Sequence, residues 1–203
     1  PISYDEELGF ITASPSNLGT GMRASVMLFL PACELSGRMD EIFARAKENG
    51  LTIRGIYGEG SKALGYFYQI SNQGSLGFDE NEIIDKVSEF IYSLCNEEKE
   101  MREALIQEDY EKYRDMTLRA YGTITNCYSL QESEMMELLA KVKLGQVLGF
   151  IDINSDDKFQ KLFYEGCSAN LGEIFELFNQ KKENIVRAEY ISNKVRELAQ
   201  RRL

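Results

Sequence analysis

Residues 12–31, TASPSNLGTGMRASVMLFLP, decide the fold. A loop carrying Gly19 and Gly21, which permit positive φ and close backbone approach, leads directly to Arg23 at the mouth of an apolar run. Apolar side chains occupy both parities of ASVMLFLP (24–31), which predicts a strand buried on both faces. On its amino side LGFITAS (8–14) reads as a further strand.

Moving outward, Ser36 is placed to cap a helix whose Met39, Ile42, Phe43 and Ala46 share one face and which ends at Asn49-Gly50. LTIRGIY (51–57) and YFYQIS (66–71) read as two more strands. Asp79 with Glu82 three residues later forms a capping box for a helix striped by Ile83, Val87, Phe90, Ile91 and Leu94. The order strand, loop, strand, helix, strand, strand, helix predicts an α+β fold, an antiparallel sheet flanked by helices. From Asn96 to Asp115 the chain is dominated by charge, with Met101, Leu105 and Tyr113 as a thin apolar stripe, the pattern of a solvated helix joining two parts. Only helical patterns follow: one capped from Ser129 with Glu132, one around Phe159 to Phe178, and one carrying Ile185, Ala188, Ile191, Val195 and Leu198. The expected organisation is a sheet-bearing part over 1–96, a connecting helix over 97–118 and a small all-helical domain over 119–203.

The chain has 203 residues, with 23 Lys and Arg against 33 Asp and Glu, a formal charge of −10. That balance opposes a nucleic-acid partner, because phosphate neutralisation needs clustered basic residues. There is no His, so Ser-His-Asp and Cys-His catalysis and imidazole metal sites are excluded from these residues. Cys33, Cys95, Cys127 and Cys167 form no CxxC pair and read as buried free thiols of a cytoplasmic protein. No apolar run approaches the roughly 20 residues of a membrane span, so no membrane is expected. The start at Pro1, on what reads as the approach to a strand, predicts a piece of a longer polypeptide.

Several apparent motifs fail. Gly58-Glu59-Gly60-Ser61-Lys62-Ala63 matches GxGxxA, but Leu64-Gly65-Tyr66-Phe67 resumes strand chemistry where a dinucleotide site needs a helix. Asp152-Ile153-Asn154-Ser155-Asp156 begins like a calcium loop, yet Asp157 and Phe163 stand where the loop needs Gly and Glu, so no metal site is assigned. Two loops are left, SPSNLGTGMR (14–23) and TIRGIYGEG (52–60), with Arg23, Arg54 and Glu59 at strand ends. An Arg within an apolar strand is costly to bury unless it meets an anion. A half-exposed Arg, or one paired with a local acid such as Glu59, fits the residues equally well.

TASPSNLGTGMRASVMLFLP, then IRGIYGEG (53–60) and YQISNQGSLG (68–77), resemble in order and spacing the C-terminal half of the ATP:guanidino phosphotransferases, the family of arginine and creatine kinases. Its bacterial protein-arginine kinase branch is the nearest likeness, since RAYGTITNCYSL (119–130), LLAKVKLGQVLGFI (138–151) and IVRAEYI (185–191) resemble that branch's helical C-terminal domain. The resemblance implies ATP as phosphoryl donor, with Mg²⁺ held by the nucleotide phosphates. It implies nucleotide contacts at Arg23, Ala24, Ser25, Val26 and Met27 and at Arg54, Gly55, Ile56, Tyr57, Gly58 and Glu59. Arg23 and Arg54 match phosphate-clamping arginines, and Glu59 matches the catalytic carboxylate that orients the substrate guanidinium and accepts its proton. Met27 stands where small-molecule members often have His. Two departures stand out. Ser14 replaces the usual Cys of the first loop. Of the RDxxRA motif of a phosphoarginine pocket only Arg187 and Ala188 survive, with Glu183 in place of the first Arg. Read alone, Arg187 fits the exposed face of an amphipathic helix equally well.

The resemblance thus implies a protein-arginine kinase that marks proteins for degradation, acting on exposed arginines. Its implied partners are a second copy bound through the helical domain, an activator protein and an AAA+ unfoldase–protease. Further arginines and a second carboxylate are implied upstream, so these 203 residues alone are expected to be inactive. A non-catalytic interaction module and a kinase of free arginine are the alternative readings.

Overall fold

A computed structural model describes residues 3–14, 17–55, 63–175 and 180–202, with side chains described outside 173–181. The chain forms two compact units, Pro1–Glu103 and Ala104–Leu203.

In the first unit β1 (Ser3–Asp5) and β2 (Gly9–Ile11) make an antiparallel hairpin. The main sheet is antiparallel, with β3 (Ser25–Phe29) and β4 (Leu51–Gly55) on either side of β5 (Phe67–Asn72). Directly paired residues share a face, so the register sorts the side chains. Leu28, Ile53, Tyr68 and Ile70 face a core completed by Ile42 and Ala46 of α2 (Met39–Glu48) and by Val87, Phe90 and Leu94 of α3 (Glu80–Asn126). Ser25, Met27, Thr52, Arg54, Gln69 and Ser71 lie on the opposite face.

The expected capping box forms: the Asp79 N–H donates to Glu82 Oε2 and the Glu82 N–H to Asp79 Oδ1, each at 2.9 Å. Helix α2 ends where expected, with Gly50 at φ 63°. Ser36 does not cap α2; it closes an unexpected short helix, α1 (Pro31–Leu35). The first N–H groups of α1 go to a carboxylate far away in sequence. Glu98, 2% exposed, accepts the Ala32 and Cys33 N–H groups at 3.1 and 2.9 Å and is neutralised by Arg102 at 2.8 Å. The expectation that β3 is buried on both faces is wrong. Among the described residues it is an outer strand paired with β5 alone, and Val26 and Met27 are 41% and 49% exposed.

The second unit contains the later part of α3, then α4 (Glu132–Val147), α5 (Asp156–Glu165), α6 (Ser168–Phe175) and α7 (Gln180–Leu198). Helix α3 is not one rod. At Asp109 (φ −154°, ψ 76°) the backbone leaves the helix, and Asp109 Oδ1 accepts the Lys112 N–H at 3.0 Å as the cap of a new one. The unit is also not purely helical: β6 (Ile151–Ile153) pairs antiparallel with β7 (Ala199–Arg201). Three residues are too few to show a period of two. The single helix expected over 159–178 is broken between α5 and α6 at Gly166-Cys167. Ser129 makes no cap, the N-cap of α4 being Gln131. The apolar stripe of α7 is as expected, with Ala188, Ile191, Val195 and Leu198 buried. Cys33 is buried, whereas Cys95, Cys127 and Cys167 are half-buried; all four are free thiols.

Candidate functional site

The open face of the main sheet collects Arg23, Ser25, Met27 and Arg54 of the described site residues. Arg54 on β4 pairs with Gln69 on β5, which pairs with Met27 on β3, so these three form one row across the strands. The next row is Thr52, Ser71 and Ser25. Arg23 lies just before β3, exposed, and its Nη2 donates to the buried Ser71 hydroxyl at 3.0 Å. Both arginines therefore reach the same face, the one turned away from the helices. Ala24, Ser25 and Val26 belong to the same strand entry, Val26 on the helix-facing side, and Gly55 ends β4. Ile56, Tyr57, Gly58 and Glu59 lie outside the described residues.

The glycine loop is fastened by residues to which the sequence assigned no role. Gly19 has φ 98°, and a Cβ there would stand 2.8 Å from the Ser75 carbonyl oxygen, so only glycine fits. The Ser75 hydroxyl donates to the Leu18 carbonyl at 2.8 Å. The Asn72 side chain accepts the Ala24 N–H at 2.9 Å and donates to the Met22 and Gly74 carbonyls, each at 3.1 Å. The signal that could have found them was present: Ser71, Asn72 and Ser75 all belong to the YQISNQGSLG stretch.

Below this sheet sit two groups with strongly raised pKa values. Burial, then the Glu98 carboxylate, pushes the Cys33 thiol up; burial, then a 2.7 Å hydrogen bond to Glu34, pushes the Tyr68 hydroxyl up. Both stay protonated at neutral pH. Among the described residues no group of three or more Cys, Asp or Glu side chains could hold a metal ion.

Arg187 of α7 lies in the second unit, remote in sequence from this face, and at 1% exposure it is not a surface residue. Each of its five N–H groups has a partner. Nε donates to the Gly166 carbonyl at 2.7 Å, and Nη1 to the Leu130 carbonyl at 3.1 Å and Asn184 Oδ1 at 2.7 Å. Nη2 donates to Ser168 Oγ at 3.0 Å and to Glu183 Oε1. Glu132 stands 4.0 Å away and accepts the Ser168 N–H at 2.8 Å. One guanidinium therefore ties the start of α4, the α5–α6 turn and α7 together.

Two family models match the chain: the ATP:guanido phosphotransferase C-terminal catalytic domain over residues 1–101, and the protein-arginine kinase McsB C-terminal domain over 110–203. The protein-arginine kinase of Clostridium acetobutylicum is 38% identical over 96% of this chain and 57% of its own length. That of Staphylococcus haemolyticus is 44% identical over 92% of this chain and 56% of its own. The chain thus spans a little over half the length of these relatives. Among solved structures, the duplicated taurocyamine kinase of Schistosoma mansoni with bound transition-state-analogue components is 37% identical, over 48% of this chain and 13% of that one, at a TM-score of 0.41. Lombricine kinase is 33% identical, over 47% and 26%, at a TM-score of 0.40. With both halves matched in order, the chain belongs to the ATP:guanido phosphotransferase family, carrying that family's C-terminal catalytic domain followed by a C-terminal domain of the McsB protein-arginine kinase type.

Proposed function

We propose that the protein transfers the γ-phosphoryl group of ATP to the guanidinium of arginine residues in other proteins. The observation that carries this reading is the placing of Arg23 and Arg54 on one open sheet face, with the Arg54–Gln69–Met27 row between flanking strands. The names of the relatives supply the substrate class. In a loose phosphoryl transfer the charge spreads over the phosphate oxygens, and two fixed guanidinium groups can stabilise it without themselves reacting. Mg²⁺ enters on the nucleotide and is held by its phosphates and water. Glu59 orients the attacking guanidinium and accepts its proton, a carboxylate being needed because the guanidinium stays protonated near neutral pH.

The remaining positioning groups belong to a part of the molecule outside these residues, and the 203-residue chain by itself is proposed to be inactive. Division into residues 1–96, a connector over 97–118 and a helical domain over 119–203, a cytoplasmic location, self-association through the helical domain, an activator protein and an AAA+ protease complex complete the proposal. Marking of the products for degradation follows from that last partner.

The test is to incubate the protein expressed from its whole reading frame with ATP and either casein or free arginine, and to map acid-labile phosphate. Phosphate on casein arginines is the expected result; phosphate on free arginine alone would change the substrate class, and none on either would favour an interaction module. Arg23→Ala and Arg54→Ala should each lower turnover about 100-fold or more. Glu59→Gln should lower it at least about 100-fold, and unchanged turnover would remove Glu59 from its role. For Arg187, engagement of all five N–H groups supports a structural role in place of a phosphoarginine pocket. Calorimetric binding of phosphoarginine to the wild-type chain, abolished by Arg187→Ala in a folded variant, would reverse that assignment.

A further inference from the structure

We infer that Asn72 and Ser71 are positioning residues that aim Arg23 across the open face of the sheet, an inference that rests on the phosphate-clamping role proposed for Arg23. An exposed arginine has many rotamers and most of them point nowhere useful, so a clamp built on one needs its backbone and its guanidinium fixed separately. Asn72 does the first. Its side chain holds the chain on both sides of Arg23, through the Met22 carbonyl at 3.1 Å and the Ala24 N–H at 2.9 Å, and braces its own loop through the Gly74 carbonyl at 3.1 Å. Ser71, 1% exposed and next along β5, does the second through its hydroxyl, 3.0 Å from Arg23 Nη2.

The choice of residue at 72 follows from what it must satisfy. One N–H and two carbonyl groups require one acceptor and two donors on a short stem, which among ionised and neutral side chains of this length only asparagine supplies. Aspartate would keep the acceptor and turn an oxygen toward the two carbonyl oxygens. Because Asn72 ends β5 in register with Leu51 of β4, the tether is anchored to the middle strand of the sheet. The aim of Arg23 is therefore referred to the same strand that lies beside Arg54.

Two measurements separate the tether from the role it serves. In the 203-residue chain, trypsin should cut after Arg23 at least about tenfold faster in Asn72→Ala and in Asn72→Asp than in wild type, because cleavage follows local opening. Cutting after the exposed Arg119 should be unchanged. Equal rates after Arg23 in a folded variant would overturn the tether; should Asn72→Ala fail to fold, Asn72→Asp, of equal size, decides. In the protein from its whole reading frame, Asn72→Ala should lower kcat about tenfold with little change in KM for ATP. Combined with Arg23→Ala it should add nothing further, since both changes remove the same group from its place. Losses that multiply would show Asn72 acting independently of Arg23 and overturn the inference. Full turnover in Arg23→Ala would overturn the clamp and with it the purpose of the tether, while the tether itself stands or falls on the trypsin rates.

Discussion

Arg187 shows how much one buried side chain can organise. Its fork satisfies the carbonyls of Leu130 and Gly166, where chain turns would otherwise leave acceptors without donors, and it neutralises Glu183. Arg187→Ala leaves two carboxylates and two carbonyls facing a cavity, and should cost about 3 kcal/mol or more, read as a lowered urea midpoint at unchanged slope. Arg187→Lys should recover only part of this, because an ammonium has three donors and no planar fork. Cys33 gives a second residue-scale test. Its thiol is held up by burial and by Glu98, so a neutral-pH disulfide reagent should modify it only on unfolding, whereas the half-buried Cys95, Cys127 and Cys167 react sooner.

At the scale of elements, α4 meets its neighbours at Gly145, where a Cβ would stand 2.7 Å from Ile151 Cδ1 and 3.0 Å from Thr117 Cβ. An exposed helix would gain from Gly→Ala; here the crowding outweighs propensity, and Gly145→Ala should lower Tm by several degrees in a thermal melt. The pair of Lys143 on α4 and Asp156 at the start of α5 carries a pH signature. Hydrogen bonding to Lys143 lowers the Asp156 pKa against the opposing effect of burial. A carboxylate with a depressed folded pKa adds stability that is present above its unfolded pKa, about 3.9, and is lost as pH falls through the folded value. Asp156 is 49% exposed, so solvent screens the pair. Asp156→Asn should therefore lower Tm at pH 7 by only about 2 °C, and that difference should shrink as melts are taken to pH values progressively below about 3.9.

At the scale of the whole molecule, two units each bury their own apolar set, Leu30 to Leu94 in one and Leu105 to Ala199 in the other. A polypeptide of residues 104–203 should therefore fold alone, with helical circular dichroism and a single cooperative melt; a featureless, non-cooperative melt would show that its core needs the first unit.

The sequence by itself determined the α+β class, the strands around β4 and β5, the Asp79–Glu82 box, the apolar stripe of α7 and the family motifs. These are local: they depend on periodicity, caps and spacings of a few residues. Tertiary structure alone decided that Val26 and Met27 of β3 are exposed, that Glu98 closes α1, that Asn72 brackets Arg23 and that Arg187 is a buried hub. The last three join groups that the sequence holds about 20 to 66 positions apart, by hydrogen bonds whose partners no local pattern names. Whether a strand or an arginine is covered depends on what packs beside it, and neighbours in space are fixed only when the whole chain has folded.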